Sequence, residues 1–102
     1  MTKTGRLTAC ELHVVQRGGA YAGYGIITIL YAGALLHGIY DIPAVKYDGY
    51  RVYANLPPCG AMRGHGGVNT RHAFEWLVDR MARELGLDPF AVRRANLITP
   101  PY

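Results

Sequence analysis

Residues Asn55 to Gly67 read NLPPCGAMRGHGG, and no regular element can run through them. Pro57 and Pro58 remove two backbone donors and fix φ, while Gly60, Gly64, Gly66 and Gly67 weaken helix and strand alike. The stretch therefore divides the chain into two parts that must each build their own elements. Its residue types also suit chemistry. Glycines let the backbone approach a ligand and expose its N–H groups. Arg63 adds a permanent cation suited to an oxyanion, and His65 adds a flat, titratable ring. Two readings follow. The loop either holds an anion or oxo group against backbone amides and a guanidinium, or simply turns a corner beside a helix N-terminus.

Around this loop the chain reads as a single α+β unit of 102 residues with no internal repeats. RLTACELHVVQ (Arg6 to Gln16) alternates as a strand does, and the preceding KTGR reads as a turn, so a hairpin leads into the strand. RGGAYAGYG (Arg17 to Gly25) carries four glycines in nine residues and reads as a loop, without the Lys-Ser/Thr of a phosphate loop. Thr28 to Tyr40 fits strand or helix by periodicity alone; Leu30, Ala34, Ile39 and the small Ala32 and Gly33 favour a tightly packed buried helix, ended by Asp41-Ile42-Pro43. Asp48-Gly49 inside VKYDGYRVYANL is a hairpin signal. After the loop, Phe74, Leu77, Val78, Met81 and Leu85 form one helical stripe, which Asn69 or Thr70 can cap. Gly86 suits the left-handed position after that helix, and Asp88-Pro89 starts another. The strands amount to a small sheet with exposed edges, so the chain reads as part of a larger domain.

Composition narrows the function classes. Half of the residues are hydrophobic and 18% are charged, which excludes a disordered or collagen-like chain. The net charge of +4 is spread out, with Arg93-Arg94 the only adjacent basic pair, so no nucleic-acid stripe is expected. The longest apolar run, Ile26 to Leu36, is too short for a membrane span. With no secretory signal at the start, a cytoplasmic location is expected. Cys10 and Cys59 make no disulfide framework. Cys59 is a candidate nucleophile with His65 or His72 as base, though free cysteine also serves as a small buried hydrophobe. Cys10 and His13 lie three apart in a strand and point to opposite faces, so no metal site is expected from them. His37 is expected to pack in or beside its helix, and His72 in the first turn of the next.

NLPPCGAMRGHGG, an amphipathic helix and then LGLDPFAVRRANLI together resemble the molybdenum-binding large subunit of the xanthine dehydrogenase and aldehyde oxidase family. KTGRLTACELHVVQRGGAYAGYG is similar to that family's hairpin and glycine-rich loop, so the resemblance runs from Lys3 to about Ile98. It implies a partial molybdopterin-binding domain over residues 1–102 of a larger subunit, an α+β fragment of hairpin strands, buried helix, glycine-rich loop and amphipathic C-terminal helices.

By the same resemblance the cofactor is a molybdenum–molybdopterin, in the cytosine dinucleotide form. Iron–sulfur clusters and FAD sit on partner subunits or domains. The activity is hydroxylation, or in one branch reductive dehydroxylation, of aromatic, heterocyclic or aldehyde substrates. Ala61, Met62 and Arg63 match cofactor-binding positions, and Tyr31 and His65 match substrate-facing ones. The family's catalytic glutamate lies downstream of the matched segment, so no catalytic residue is expected here and the 102 residues alone are expected to be inactive. Purine-oxidising members carry arginine at the position of Tyr31 and phenylalanine at that of His65, which makes xanthine an unsuited substrate. PCGAMRGHG looks more like the branch of hydroxybenzoyl-coenzyme A reductase and nicotinate dehydrogenase. The alternatives are a small non-enzymatic domain that binds an anion or partner through the Arg/Gly-rich loop, and a cysteine-dependent hydrolase or transferase.

Overall fold

The computed structural model describes residues 1–36 and 38–100. Its first half is a β-α-β unit: strand β1 (Ala9–Gly19), helix α1 (Gly25–Ala34) and strand β2 (Ala44–Tyr53). The two strands are parallel, with Ala9 opposite Ala44, and they stay in step to Arg17 opposite Val52 before an irregularity near Gly19. Parallel neighbours need a crossover of a dozen or more residues, and α1 with its flanking loops supplies it.

This corrects the hairpin expected at Asp48-Gly49. Those residues lie inside β2, opposite His13 and Val14. The glycine is there for packing: a Cβ on Gly49 would stand 2.7 Å from the Tyr47 hydroxyl oxygen. The Tyr47 ring also occupies the space a Cβ on Gly33 would need, and its hydroxyl donates to the Ile29 carbonyl at 2.6 Å. One tyrosine thus rivets β2 to α1. The KTGR segment is a turn as expected, with Gly5 N–H donating to Thr2 O. The glycine-rich loop is shorter than its composition indicates, because Arg17, Gly18 and Gly19 finish β1.

Helix α1 starts three residues earlier than expected and ends at Ala34. Thr28, Ile29, Ala32 and Gly33 form its buried face, whereas Leu30 and Tyr31 are exposed. The reading of His37 lies outside the described residues.

Helix α2 (Gly67–Glu84) begins directly after a single 3-10 turn at Gly64–Gly66. Neither Asn69 nor Thr70 caps it. Gly66 takes the cap position in a left-handed conformation, and the Thr70 hydroxyl, one turn inside, donates to Ala32 O of α1 at 2.8 Å. Its buried face is Gly67, Thr70, Phe74, Val78 and Ala82, so the apolar stripe is rotated from the expected one and Leu77 and Leu85 stay exposed. Small residues at positions 67, 70 and 82 let α2 approach its neighbours closely, which hydrophobicity alone does not reveal.

Gly86 is left-handed as expected, with φ +68°. Asp88 caps α3 (Pro89–Asn96) by accepting from the Phe90 and Ala91 N–H groups. The core gathers Leu7, Leu36, Tyr40, Phe74, Val78, Ala82 and Val92. Fully buried Asn96 closes it: Oδ1 accepts from Leu7 N–H at 2.8 Å, and Nδ2 donates to Gly5 O and Val92 O, both at 2.7 Å. Beside it, Arg93 pairs with Glu75 at 2.8 Å and Asp79 at 2.7 Å, and the Tyr40 hydroxyl donates to Glu75 at 2.9 Å. These contacts lock α3 against α2.

Candidate functional site

The loop between β2 and α2 is held by its ends. Cys59 N–H donates to Gly18 O at 3.1 Å, and the Cys59 thiol donates to Arg17 O at 2.8 Å. No hydrogen bond among the described residues joins that thiol to a histidine, so the geometry gives the nucleophile reading no base. Burial pushes the other thiol, Cys10, above its ordinary value, which removes nucleophilic thiolate rather than creating it. At the far end of the loop, Gly64, His65 and Gly66 are successive left-handed residues, with φ of +71°, +47° and +82°. A Cβ on Gly66 would meet the Thr28 carbonyl oxygen at 2.4 Å. The loop is therefore pressed against α1 by backbone contact, a fit only glycine allows.

Ala61, Met62 and Arg63 line one pocket of about 330 Å³, together with Gln16, Thr28 and Asn69. Arg63 makes no hydrogen bond or ion pair among the described residues, so its charge is available to the pocket. Tyr31 and His65 lie beside this pocket rather than in its lining. Their rings pack at 5.3 Å between centroids, and Tyr24 closes edge-on over His65 at 5.8 Å. The structure thus brings the three cofactor-type residues to one cavity and the two substrate-type residues to an adjoining aromatic cluster. His65 Nδ1 is buried there without a hydrogen-bond partner, an unsatisfied group in need of a ligand or water. Its non-glycine left-handed backbone is strain of the kind concentrated at binding sites.

Sequence reasoning missed Gln16, Thr28 and Arg51. The Arg51 guanidinium reaches back from β2 and donates to Gly18 O (3.1 Å), Gly25 O (3.1 Å), Cys59 O (2.7 Å) and Gln16 Oε1 (3.1 Å). A Cβ on Gly25 would overlap the guanidinium outright. This explains two glycines of the RGGAYAGYG stretch. They make room for an arginine distant in sequence, a requirement no local pattern signals.

Residues 1–97 match the molybdopterin cofactor-binding domain family. The nicotinate dehydrogenase large molybdopterin subunit of Eubacterium barkeri is 38% identical over 95 residues, covering 93% of this chain and 22% of that protein. A probable xanthine dehydrogenase subunit of Bacillus subtilis (strain 168) is 34% identical over 97 residues, 95% of this chain and 13% of its own length. The solved aldehyde oxidoreductase from Desulfovibrio gigas superposes with a TM-score of 0.90 at 31% identity, over 97% of this chain and 11% of that one. The chain thus spans less than a quarter of the length of these relatives. With the family match over nearly all of its residues and the same backbone in a solved relative, the chain belongs to the xanthine dehydrogenase and aldehyde oxidase family, as a segment of its molybdenum-binding subunit.

Proposed function

We propose that residues 1–102 form one wall of the active site in a larger molybdenum-dependent oxidoreductase subunit. The observation that carries this reading is the pocket at Arg63: an unpaired guanidinium beside a loop whose glycines bring backbone close to whatever the cavity holds. A polyanionic, oxygen-rich cofactor fits such a donor set. In this reading Arg63 and the backbone of Ala61 and Met62 hold the molybdenum–molybdopterin, in its cytosine dinucleotide form. When bound, that cofactor supplies the two-electron redox chemistry.

Tyr31 and His65 face the substrate. Tyr31 offers a phenol rather than a cation, and His65 offers a polar ring whose Nδ1 is buried without a partner among the described residues. Both favour an aromatic, heterocyclic or aldehyde substrate over the purine xanthine, which purine-oxidising relatives fix with an arginine. Electrons leave to iron–sulfur and flavin subunits, and the enzyme works in the cytoplasm. The nicotinate dehydrogenase relative accords with a pyridine-type substrate. No helix among the described residues is long and apolar enough to cross a membrane.

Native purification of the polypeptide carrying this sequence tests the proposal. One molybdenum per polypeptide and oxidation of a heterocycle or aldehyde are expected. A folded, metal-free protein, or turnover by the 102 residues alone, would overturn it.

A further inference from the structure

We propose that Gln16 is a hydrogen-bond donor to the occupant of the Arg63 pocket, and that Arg51 is the positioning residue that makes it one. The inference rests on the functional reading above and assigns a residue to the same cavity. A guanidinium has five N–H donors and no acceptor. The Gln16 atom lying 3.1 Å from Arg51 Nη1 is therefore the carboxamide oxygen, since the amide nitrogen there would set donor against donor. The Thr28 hydroxyl lies 2.8 Å from the same oxygen, but it shares its one proton with the Gly25 carbonyl at 2.5 Å, so Arg51 is the contact that sets the orientation.

With Oε1 held by the Arg51 guanidinium, the Nε2 amide is the free end. It has no hydrogen-bond partner among the described residues, and Gln16 and Thr28 line the cavity that Arg63 lines. Arg51 cannot swing away easily, because three more of its five donors are spent on the Gly18, Gly25 and Cys59 carbonyls. The cavity thus receives N–H groups from Gln16 alongside the Arg63 cation. The chemistry this recognises is an acceptor oxygen carrying negative charge, either on the bound cofactor or on a free oxyanion. A glutamine held in one orientation also discriminates, since it rejects a donor such as a ring N–H at that spot.

The test uses the native polypeptide, cofactor-loaded and cofactor-depleted, as wild type, Gln16→Glu, Gln16→Met, Arg51→Met and the double variant Gln16→Met/Arg51→Met. Gln16→Glu keeps an oxygen for Arg51 and turns the donor end into an anionic acceptor. Molybdenum retained during dialysis is expected to fall roughly 10- to 100-fold faster in Gln16→Glu, the cost of losing a charge-assisted bond and adding a like charge. Arg51→Met is expected to weaken retention less, and the double variant to lose no more than Gln16→Met alone, because Arg51 acts through Gln16. Additive losses would mark Arg51 as merely structural and overturn its part.

In cofactor-depleted protein, orthophosphate is the probe. The Gln16 side-chain amide signal in a ¹⁵N NMR spectrum is expected to shift on titration in the wild type, a measurement that needs no variant to fold. An effect on phosphate alone assigns the oxygen to a free oxyanion, and an effect on molybdenum retention assigns it to the cofactor. Unchanged retention in Gln16→Glu together with an unmoved Gln16 signal overturns the proposal. Native protein that carries no molybdenum defeats the functional reading, and the phosphate titration then decides Gln16 by itself.

Discussion

Replacing Gly66 by alanine isolates what the loop needs from its backbone. Two costs combine at this site. At φ +82°, an L-residue is disfavoured by about 1–2 kcal/mol. The new Cβ would also lie 2.4 Å from the Thr28 carbonyl oxygen, a backbone atom of α1 that cannot rotate aside. Overpacking of this kind costs about 1–3 kcal/mol. Alanine restricts the unfolded chain and returns about 0.4–1 kcal/mol. The net expectation is a loss of about 1–5 kcal/mol, a large share of the roughly 5–15 kcal/mol that holds a domain together.

Two further glycines serve as internal standards. Gly86 has φ +68° but open space around it, so Gly86→Ala carries only the backbone term, a loss of up to about 1.6 kcal/mol. Gly60 has open space and no left-handed φ, so Gly60→Ala is expected to be neutral or stabilising by up to about 1 kcal/mol. Urea unfolding followed by far-ultraviolet circular dichroism ranks the three. A Gly66→Ala loss within about 0.5 kcal/mol of that of Gly86→Ala would show that the contact between the loop and α1 does not constrain the site.

Other expectations concern the frame and the pocket. Asn96→Ala leaves Leu7 N–H and Gly5 O without partners in the core and is expected to cost about 2–5 kcal/mol, read as the shift in urea midpoint. Arg63→Ala is expected to change stability by less than about 0.5 kcal/mol, because the side chain is exposed and unpaired among the described residues, yet to lower the molybdenum content of purified protein. Asp88→Ala removes the cap of α3 and is expected to cost about 1 kcal/mol in the same unfolding assay. The Tyr40 phenol is held above its ordinary value of 10.0, first by burial and then by its hydrogen bond to Glu75. Unfolded tyrosine ionises first, so this contribution is fully present below pH 10 and is lost as pH rises towards the folded value. Stability measured between about pH 9 and 12 is expected to fall less steeply in Tyr40→Phe.

Local signals were legible wherever a requirement is met within a few residues. Asp88-Pro89 capped α3, Gly86 took its left-handed position, and the long amphipathic segment formed α2. The Asp48-Gly49 signal misled because a turn motif states what two residues permit, whereas the pairing partner was β1, some 35 residues away. The stripe on α2 was misjudged for a related reason. Burial there follows how closely α1 and α3 approach, so Thr70 and Ala82 are covered while Leu77 is not. At the site, Arg63 and its glycines stood out by type and spacing, but Gln16 and Arg51 carry no local mark.

The sequence by itself determined the elements with short-range causes and, through its motifs, the family and the loop at the centre of the site. Tertiary structure alone decided that the strands run parallel, that Asn96 ties residues 5 and 7 to the last helix, and that Arg51 orients Gln16 beside the Arg63 pocket. The physical reason is range. Caps and left-handed glycines satisfy backbone groups within one turn. A buried amide or guanidinium must instead find carbonyls that only the completed packing brings within about 3 Å.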